Sequence, residues 1–230
     1  MGGPMVATTS LGQAPAVLRF YFDYISPFAY LGWIRLGPLA EKHARTIEPI
    51  PVLFAALLNA HGHKGPAEIP PKRVYVFKQV NRLAADYGVP LQPPPAHPFN
   101  PLLSLRLSCL PLEPSMRIQL IGRLFERTWA SGQGVENADE LAVVLDELGL
   151  DGRAQLRQAG SDATKRLLRN NTERALDAGV FGVPTFEADG ELFWGQDSLP
   201  HLDRFLRGED PVDAELLARW KNLPASAQRR

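Results

Sequence analysis

A serine and a proline stand where an apolar segment gives way to a helical pattern, and this corner could support chemistry. Residues 20–30 read FYFDYISPFAY, so Ser26 would cap a helix that Pro27 opens. Backbone N–H groups at a helix start, with the positive end of the helix dipole behind them, favour a bound anion or thiolate. Many redox proteins carry a C-x-x-C pair at such a corner, but residues 26–29 contain no cysteine. A thiolate used here must therefore come from elsewhere.

A second motif places a proline immediately before a strand, in residues 179–186, which read GVFGVPTF. Proline cannot donate a ladder hydrogen bond, so the pattern indicates a sheet edge or an unusual turn. We predict a cis peptide bond between Val183 and Pro184, the alternative being an ordinary trans proline at a strand start. In the cis arrangement the Val183 N–H and C=O would pair with an extended ligand, as in strand addition.

The elements that must hold these two motifs are predicted from periodicity. Residues 17–23 and 46–53 have strand patterns and flank a helical pattern over residues 27–43, which predicts a parallel strand pair with a helical crossover. Helical patterns follow over residues 71–87, 101–109, 115–131, 138–148, 152–160 and 161–178. Strands over 185–188 and 191–194 are joined by Asp189 and Gly190, a strong hairpin-turn signal, and a last helix covers residues 198–206.

Composition narrows the function classes. The chain has 230 residues, of which 45% are hydrophobic and 22% charged, as in an ordinary globular protein. The 25 Lys and Arg residues balance 25 Asp and Glu residues, so no overall field would attract nucleic acid or an anionic membrane. No apolar run reaches the roughly 18 to 20 residues of a membrane-spanning helix.

The single cysteine and the N-terminal residues bear on the cellular compartment of the protein. Cys109 has no partner for an intramolecular disulfide, which favours a reducing compartment and excludes a dithiol oxidoreductase working through its own chain. We expect Cys109 to be a small buried core residue. Residues 1–16 lack the features of a secretory signal, so we expect a flexible leader and a cytoplasmic protein.

The motifs together resemble a known family. Residues 22–28 (FDYISPF), 180–186 (VFGVPTF) and 193–197 (FWGQD), at this separation, resemble the 2-hydroxychromene-2-carboxylate isomerases, a DsbA-like group that includes kappa-class glutathione transferases. The resemblance covers residues 17–207. It implies an α/β fold, in which a thioredoxin-like domain (residues 17–62 and 176–210) carries an inserted all-helical domain (residues 63–175). Residues 211–230 would form a C-terminal extension.

The resemblance also implies a glutathione site at the corner. Ser26 would be the catalytic serine, Val183 would pair with the cysteinyl part of glutathione, and Pro184 would be the cis-proline. Asp197 and Ser198 would hold the γ-glutamyl end, Asp197 by accepting from the ligand's ammonium and Ser198 by donating to its carboxylate. For these last two residues, an ordinary helix start is the alternative.

Further ligand contacts are predicted around this site. The family usually has Asn-Lys-Pro-Pro in a loop that matches residues 63–66 here, so His63 would take the asparagine's place beside glutathione and Gly65 that of the first proline. The residues expected to bind substrate are Phe28, Lys64, Arg73, Asn171 and Trp194. Each has a structural alternative: Lys64 and Arg73 as solvated surface residues, Asn171 as an exposed helix residue, and Phe28 and Trp194 as packing residues. Tyr30 is a further aromatic residue that could line the site of a planar substrate. His61 and His63 have no third ligand nearby, so no metal is predicted.

The resemblance implies two possible functions, and the Val183 motif alone allows a third. The first is a glutathione-dependent isomerase acting on 2-hydroxychromene-2-carboxylate or a related aromatic or conjugated acid. The second is a kappa-like glutathione transferase or peroxidase, and the third is a non-catalytic thioredoxin-fold module that binds peptides along Val183. A homodimer is implied by resemblance only. No histidine lies in the Ser26 motif to serve as a base, which argues against a serine hydrolase.

Overall fold

The computed structural model describes residues 16–227 and has one mixed sheet at its centre. Its strands are β1 (Val17–Phe22), β2 (Thr46–Pro51), β3 (Thr185–Ala188) and β4 (Glu191–Trp194). The strand order is β2-β1-β3-β4, with β1 parallel to β2 and antiparallel to β3, and with β3 and β4 forming an antiparallel hairpin. The sheet therefore joins the two ends of the sequence, as a discontinuous thioredoxin-like domain requires.

The helices follow the predicted pattern with small shifts at their ends. Within the described residues they are α1 (Pro27–Lys42), α2 (Phe54–Ala60), α3 (Pro70–Tyr87), α4 (Leu102–Leu107), α5 (Pro114–Phe125), α6 (Ala138–Glu147), α7 (Gly152–Ala159), α8 (Asp162–Asp177), α9 (Leu199–Leu206) and α10 (Ala214–Lys221). The predicted helix over residues 115–131 ends as α5 at Phe125 and continues as a π-helical turn, Glu126–Ala130. Short α2 and the C-terminal α10 were not predicted.

The larger of two clusters of buried hydrophobic residues joins the sheet to the helices that lie between β2 and β3 in the sequence. Phe20 and Phe22 of β1 pack against Phe125 of α5, and Phe186 of β3 stacks on Phe20. Trp129 is also buried, with its indole N–H donating to the Tyr24 carbonyl at 2.8 Å. The helices thereby fix the β1 end that leads to Ser26. No helix in the described part of the chain is long and apolar enough to cross a membrane.

The predicted leader, residues 1–16, lies outside the described residues except for Ala16. Near the other end, α10 is exposed along its whole length, and Trp220 keeps 64% of its surface accessible. The sequence predicts Trp220 to be a core or interface residue, and the core alternative is excluded because α10 buries none of its side chains against the body of the molecule. The interface alternative stays a prediction.

Candidate active site

Ser26 forms the helix cap that the sequence predicts. Its Oγ accepts a hydrogen bond from the Ala29 N–H at 3.2 Å, and its own N–H donates to the Asp23 carbonyl at 3.1 Å. Pro27 begins α1, where a missing N–H costs nothing. Ser26 is 8% exposed, so its hydroxyl sits at the positive end of a 16-residue helix in a largely desolvated position.

The second motif meets this corner directly. The Ser26 hydroxyl donates to the Val183 carbonyl at 3.4 Å across 157 residues of sequence. The Val183–Pro184 peptide bond is cis, and Pro184 leads into β3, an interior strand. Within residues 16–227 no hydrogen bond uses the Val183 N–H. This donor, beside Ser26 Oγ, is available to a backbone that lies along residues 183–184.

A tight turn after β4 brings the predicted γ-glutamyl contacts near Pro184. The Gly195 N–H donates to the Pro184 carbonyl at 2.8 Å, while both the N–H and the hydroxyl of Ser198 donate to the Gly195 carbonyl, at 3.1 and 2.6 Å. Gly195 has a φ of +87°, and a Cβ there would lie 2.4 Å from Asp197 Oδ1. Only glycine fits this turn, which folds the Asp197 carboxylate back over residue 195.

Aromatic side chains flank the same edge. Trp194 packs against Phe181 with ring centroids 5.1 Å apart, and both rings are exposed, at 57% and 43%. A Cβ on Gly182 would lie 2.7 Å from the Trp194 indole nitrogen, so this ring covers the backbone next to Val183. Trp194 and Phe181, a neighbour that the sequence did not single out, thus form an exposed aromatic pair beside Val183. The contact of Trp194 with substrate stays a prediction.

Two other aromatic candidates are largely taken up by the core. Phe28 is partly buried and packs against the main hydrophobic cluster. Tyr30 is buried, and its hydroxyl donates to the Pro90 carbonyl at 2.9 Å. The structure therefore places Tyr30 in a packing role, while Phe28, two residues after Ser26, stays a predicted substrate contact.

Two of the predicted contacts, His63 and Lys64, lie in the loop between α2 and α3, and Arg73 lies near the start of α3. His63 and Lys64 are exposed, and the side chains of His63, Lys64 and Arg73 make no hydrogen bond or ion pair within residues 16–227. The structure does not join them to Ser26. Gly65 N–H donates to Glu68 Oε1 at 2.5 Å, a bond that a proline at this position could not make. Glycine here thus alters the capping of the loop compared with the usual family pattern.

Asn171 lies in α8, and its side chain contacts the end of β2. Its side-chain nitrogen is 3.4 Å from the Pro51 carbonyl and 3.8 Å from the Cys109 sulfur. Its neighbour Thr172 accepts a hydrogen bond from the Leu53 N–H at 3.1 Å. These contacts make Asn171 a support for the segment after β2, and its contact with substrate stays a prediction. Cys109 is partly buried, and burial raises the pKa of its thiol to about 11, so it is a poor source of thiolate.

Asp23 is a central residue that the sequence reading did not identify as functional. Its carboxylate is 1% exposed and accepts from the Ile25 N–H at 3.0 Å and from the Phe54 N–H at 2.9 Å. The side chain thus ties the β1 end to the start of α2. Burial raises the pKa of the Asp23 carboxyl to about 7, although the two N–H donors act in the opposite direction.

This shift predicts a pH-dependent stability. Between the ordinary value of 3.8 and about 7 the unfolded chain has released the Asp23 proton while the folded chain keeps it. The free energy of unfolding should therefore fall by about 1.4 kcal/mol per pH unit across that window and level off above it. Denaturant titrations of wild type and Asp23→Asn at pH values from about 4 to about 8 test this prediction.

The asparagine variant should lose this slope, and it should be less stable at every pH because its amide NH2 faces a backbone donor. Asp151→Asn is the matched control, since Asp151 is an exposed carboxylate that also accepts a backbone N–H. An unchanged slope in Asp23→Asn would show that Asp23 does not titrate in this range.

His97 is a second residue that the sequence reading missed. Its Nε2 lies 2.9 Å from the carbonyl oxygen of Ile25, the residue before Ser26. Because a carbonyl only accepts, Nε2 must carry the proton, which leaves Nδ1 as a buried acceptor without a partner among the described residues. Burial lowers the pKa of His97, in agreement with a neutral ring packed edge-on against Phe77. His97 thus supports the Ser26 corner from the helical side.

Comparison with known proteins agrees with this architecture. Residues 17–207 match the family model described as a DSBA-like thioredoxin domain. The chain is 31% identical over 194 residues to the 2-hydroxychromene-2-carboxylate isomerase of Sphingobium xenophagum, covering 82% of this chain and 97% of the relative. It is 26% identical over 226 residues to glutathione S-transferase kappa 1 of Rattus norvegicus, covering 91% and 100%.

A solved structure of a 2-hydroxychromene-2-carboxylate isomerase matches with a TM-score of 0.78 and 26% identity, covering 91% of this chain and 100% of that one. The fold and the Ser26 corner thus define a DsbA-like thioredoxin-domain protein. Within that class, the chain belongs to the 2-hydroxychromene-2-carboxylate isomerase family, which is related to the kappa-class glutathione transferases.

Proposed function

We propose that this protein is a glutathione-dependent isomerase that acts on 2-hydroxychromene-2-carboxylate or a related aromatic acid. The observation that carries the proposal is the hydrogen bond from Ser26 Oγ to the Val183 carbonyl at the N-terminus of α1, in a corner without cysteine. A helix start and a hydroxyl donor favour a thiolate, and the chain offers no sulfur of its own there. Relatives named as isomerases and glutathione transferases support glutathione as the source.

Glutathione would lie along the edge formed by the two motifs. Its cysteinyl backbone would pair with the N–H and C=O of Val183, beside Pro184, and its sulfur would accept from Ser26 Oγ. The γ-glutamyl ammonium would meet Asp197, and its carboxylate would meet Ser198 and the start of α9. Because the Ser198 hydroxyl donates to Gly195 in the free protein, it would have to rotate to reach that carboxylate.

The reaction proposed for this site returns the thiol unchanged. The cyclic hemiketal first opens by breaking its ring C–O bond while its hydroxyl proton passes to the ring oxygen, which leaves a phenol and a conjugated ketone. The thiolate then adds to a conjugated carbon, forming a C–S bond while the electron pair moves to the ketone oxygen. The former double bond can then rotate. The electron pair returns, the C–S bond breaks, and the thiolate is released to Ser26. Covalent catalysis of this kind replaces one difficult step by two easier ones.

The substrate would be held by the surrounding aromatic and basic residues. Phe28 and Trp194 would contact its ring, and Asn171 would approach from the β2 end. Lys64 and Arg73 would attract its carboxylate, with His63 beside glutathione in the asparagine's place. A cytoplasmic homodimer is the assembly and location we propose for the enzyme.

A kappa-like transferase or peroxidase is the second candidate, and the match to the full length of rat glutathione S-transferase kappa 1 favours it. Product analysis by NMR with 2-hydroxychromene-2-carboxylate separates the two. We expect many product molecules for each glutathione supplied, no conjugate, and no turnover without glutathione. Consumption of one glutathione per product would establish the transferase instead. Glutathione binding without reaction on this acid or on electrophiles would favour the non-catalytic module.

A further inference from the structure

Three polar side chains from distant parts of the sequence form a cluster behind the turn that carries Asp197. Arg35 Nη1 lies 3.0 Å from Gln196 Oε1, 3.3 Å from the Gln196 carbonyl oxygen and 3.0 Å from the Tyr87 hydroxyl. The Tyr87 hydroxyl donates to the same Gln196 Oε1 at 2.8 Å. The Arg35 guanidinium also lies 4.5 Å from the centre of the Tyr87 ring. The cluster joins α1, the end of α3 and the turn before α9.

Its location links the parts of the candidate site. Gln196 is 2% exposed and lies between Gly195, which binds the Pro184 carbonyl, and Asp197. Helix α1 approaches this turn closely at Gly32, where a Cβ would lie 3.7 Å from Gln196 Cβ and 3.6 Å from Pro184 Cγ. The helix that begins at Ser26 is therefore in contact with both the proline and the Asp197 turn.

We propose that Arg35, Tyr87 and Gln196 are positioning residues that set the distance between the Ser26 corner and the Asp197 turn, and thereby the affinity for the γ-glutamyl end of glutathione. This inference rests on the proposed function. A hydrogen bond with a charged donor is stronger than a neutral one, and Arg35 contacts both the backbone and the side chain of Gln196. Asp197 is exposed at the surface, and its turn is held by this cluster, by the Gly195–Pro184 bond and by the two bonds from Ser198 to the Gly195 carbonyl.

Removing Arg35 should loosen the turn without altering Ser26. The Gln196 amide would keep the Tyr87 bond, but its backbone carbonyl would lose the Arg35 contact. A ligand with a γ-glutamyl group should then bind less tightly, because part of its binding energy must order the turn. A ligand without that group should bind as before.

The test compares glutathione with the dipeptide cysteinylglycine by isothermal titration calorimetry. In Arg35→Met we expect Kd for glutathione to rise about tenfold and Kd for cysteinylglycine to change less than about twofold. Tyr87→Phe should give a smaller rise. Gln196→Glu should stay near wild type, because a carboxylate can accept the same two bonds. With saturating glutathione, kcat of Arg35→Met should be unchanged while KM for glutathione rises.

Arg45→Met is the matched control. Arg45 also reaches from the first half of the chain to the β3–β4 hairpin, through two 2.8 Å bonds to Asp189 at the opposite end of that hairpin. The Arg45→Met substitution should leave the affinities for glutathione and for cysteinylglycine unchanged. Equal weakening of glutathione and cysteinylglycine in Arg35→Met, or no weakening of either, would overturn the positioning role. Wild type that binds no glutathione would instead overturn the proposed function on which the inference rests.

Discussion

Replacing Ser26 with alanine is expected to lower kcat by roughly 30- to 1000-fold, equivalent to about 2 to 4 kcal/mol, if the hydroxyl stabilises thiolate as a donor stabilises an oxyanion. The hydroxyl stands at the start of α1 beside Val183, where a ligand sulfur would lie. Affinity for glutathione should change little, since Val183 and Asp197 are untouched. Steady-state kinetics with saturating glutathione, alongside calorimetric binding, measures both quantities.

Ser161→Ala is the matched control for this variant. Ser161 caps α8 and, like Ser26, accepts a backbone N–H at 3.2 Å, in this case from Thr164. Each substitution should cost about 1 kcal/mol of stability through the lost cap. Only Ser26→Ala should lose turnover. Equal kcat values in the two variants would show that Ser26 contributes to the fold through its cap and not to the reaction.

Local chemistry made part of this site predictable. The helix start at Ser26 and the hairpin turn at Asp189 and Gly190 depend on the backbone preferences of the residues themselves. The predicted limits of β3 and β4 agree with the structure, and α1 differs from its predicted range by one residue at its end. The cis Val183–Pro184 bond was also predicted, and the fold class is confirmed by the match to DsbA-like proteins.

Long-range contacts explain what the sequence did not reveal. The structural role of Asp23 depends on a long-range contact, because the N–H that its carboxylate accepts belongs to Phe54 of α2, 31 residues away. Gln196 gains its role from Arg35, 161 residues earlier. Helix α2 has seven residues and no side-chain cap at Leu53, so it lacks a start signal. Helix α10 does have a start signal in the sequence, since Asp213 is an N-cap residue whose Oδ1 accepts from the Leu216 N–H at 2.6 Å.

The thiol of bound glutathione is expected to have a pKa at least about one unit below the value near 8.5 of a free thiol. The N-terminus of α1 and the Ser26 hydroxyl both favour the charged form. The protein's own thiol should not interfere, because burial raises the pKa of Cys109 to about 11. S-methylglutathione, which has no titratable thiol, supplies the baseline.

The most direct test is therefore an ultraviolet titration of thiolate absorbance for glutathione bound to wild type and to Ser26→Ala. We predict a lowered thiol pKa in wild type and a return towards the free value in Ser26→Ala, where the helix dipole remains but the hydroxyl is gone. A bound thiol that titrates like free glutathione in wild type would contradict the claim that this cysteine-free corner holds the thiolate of glutathione.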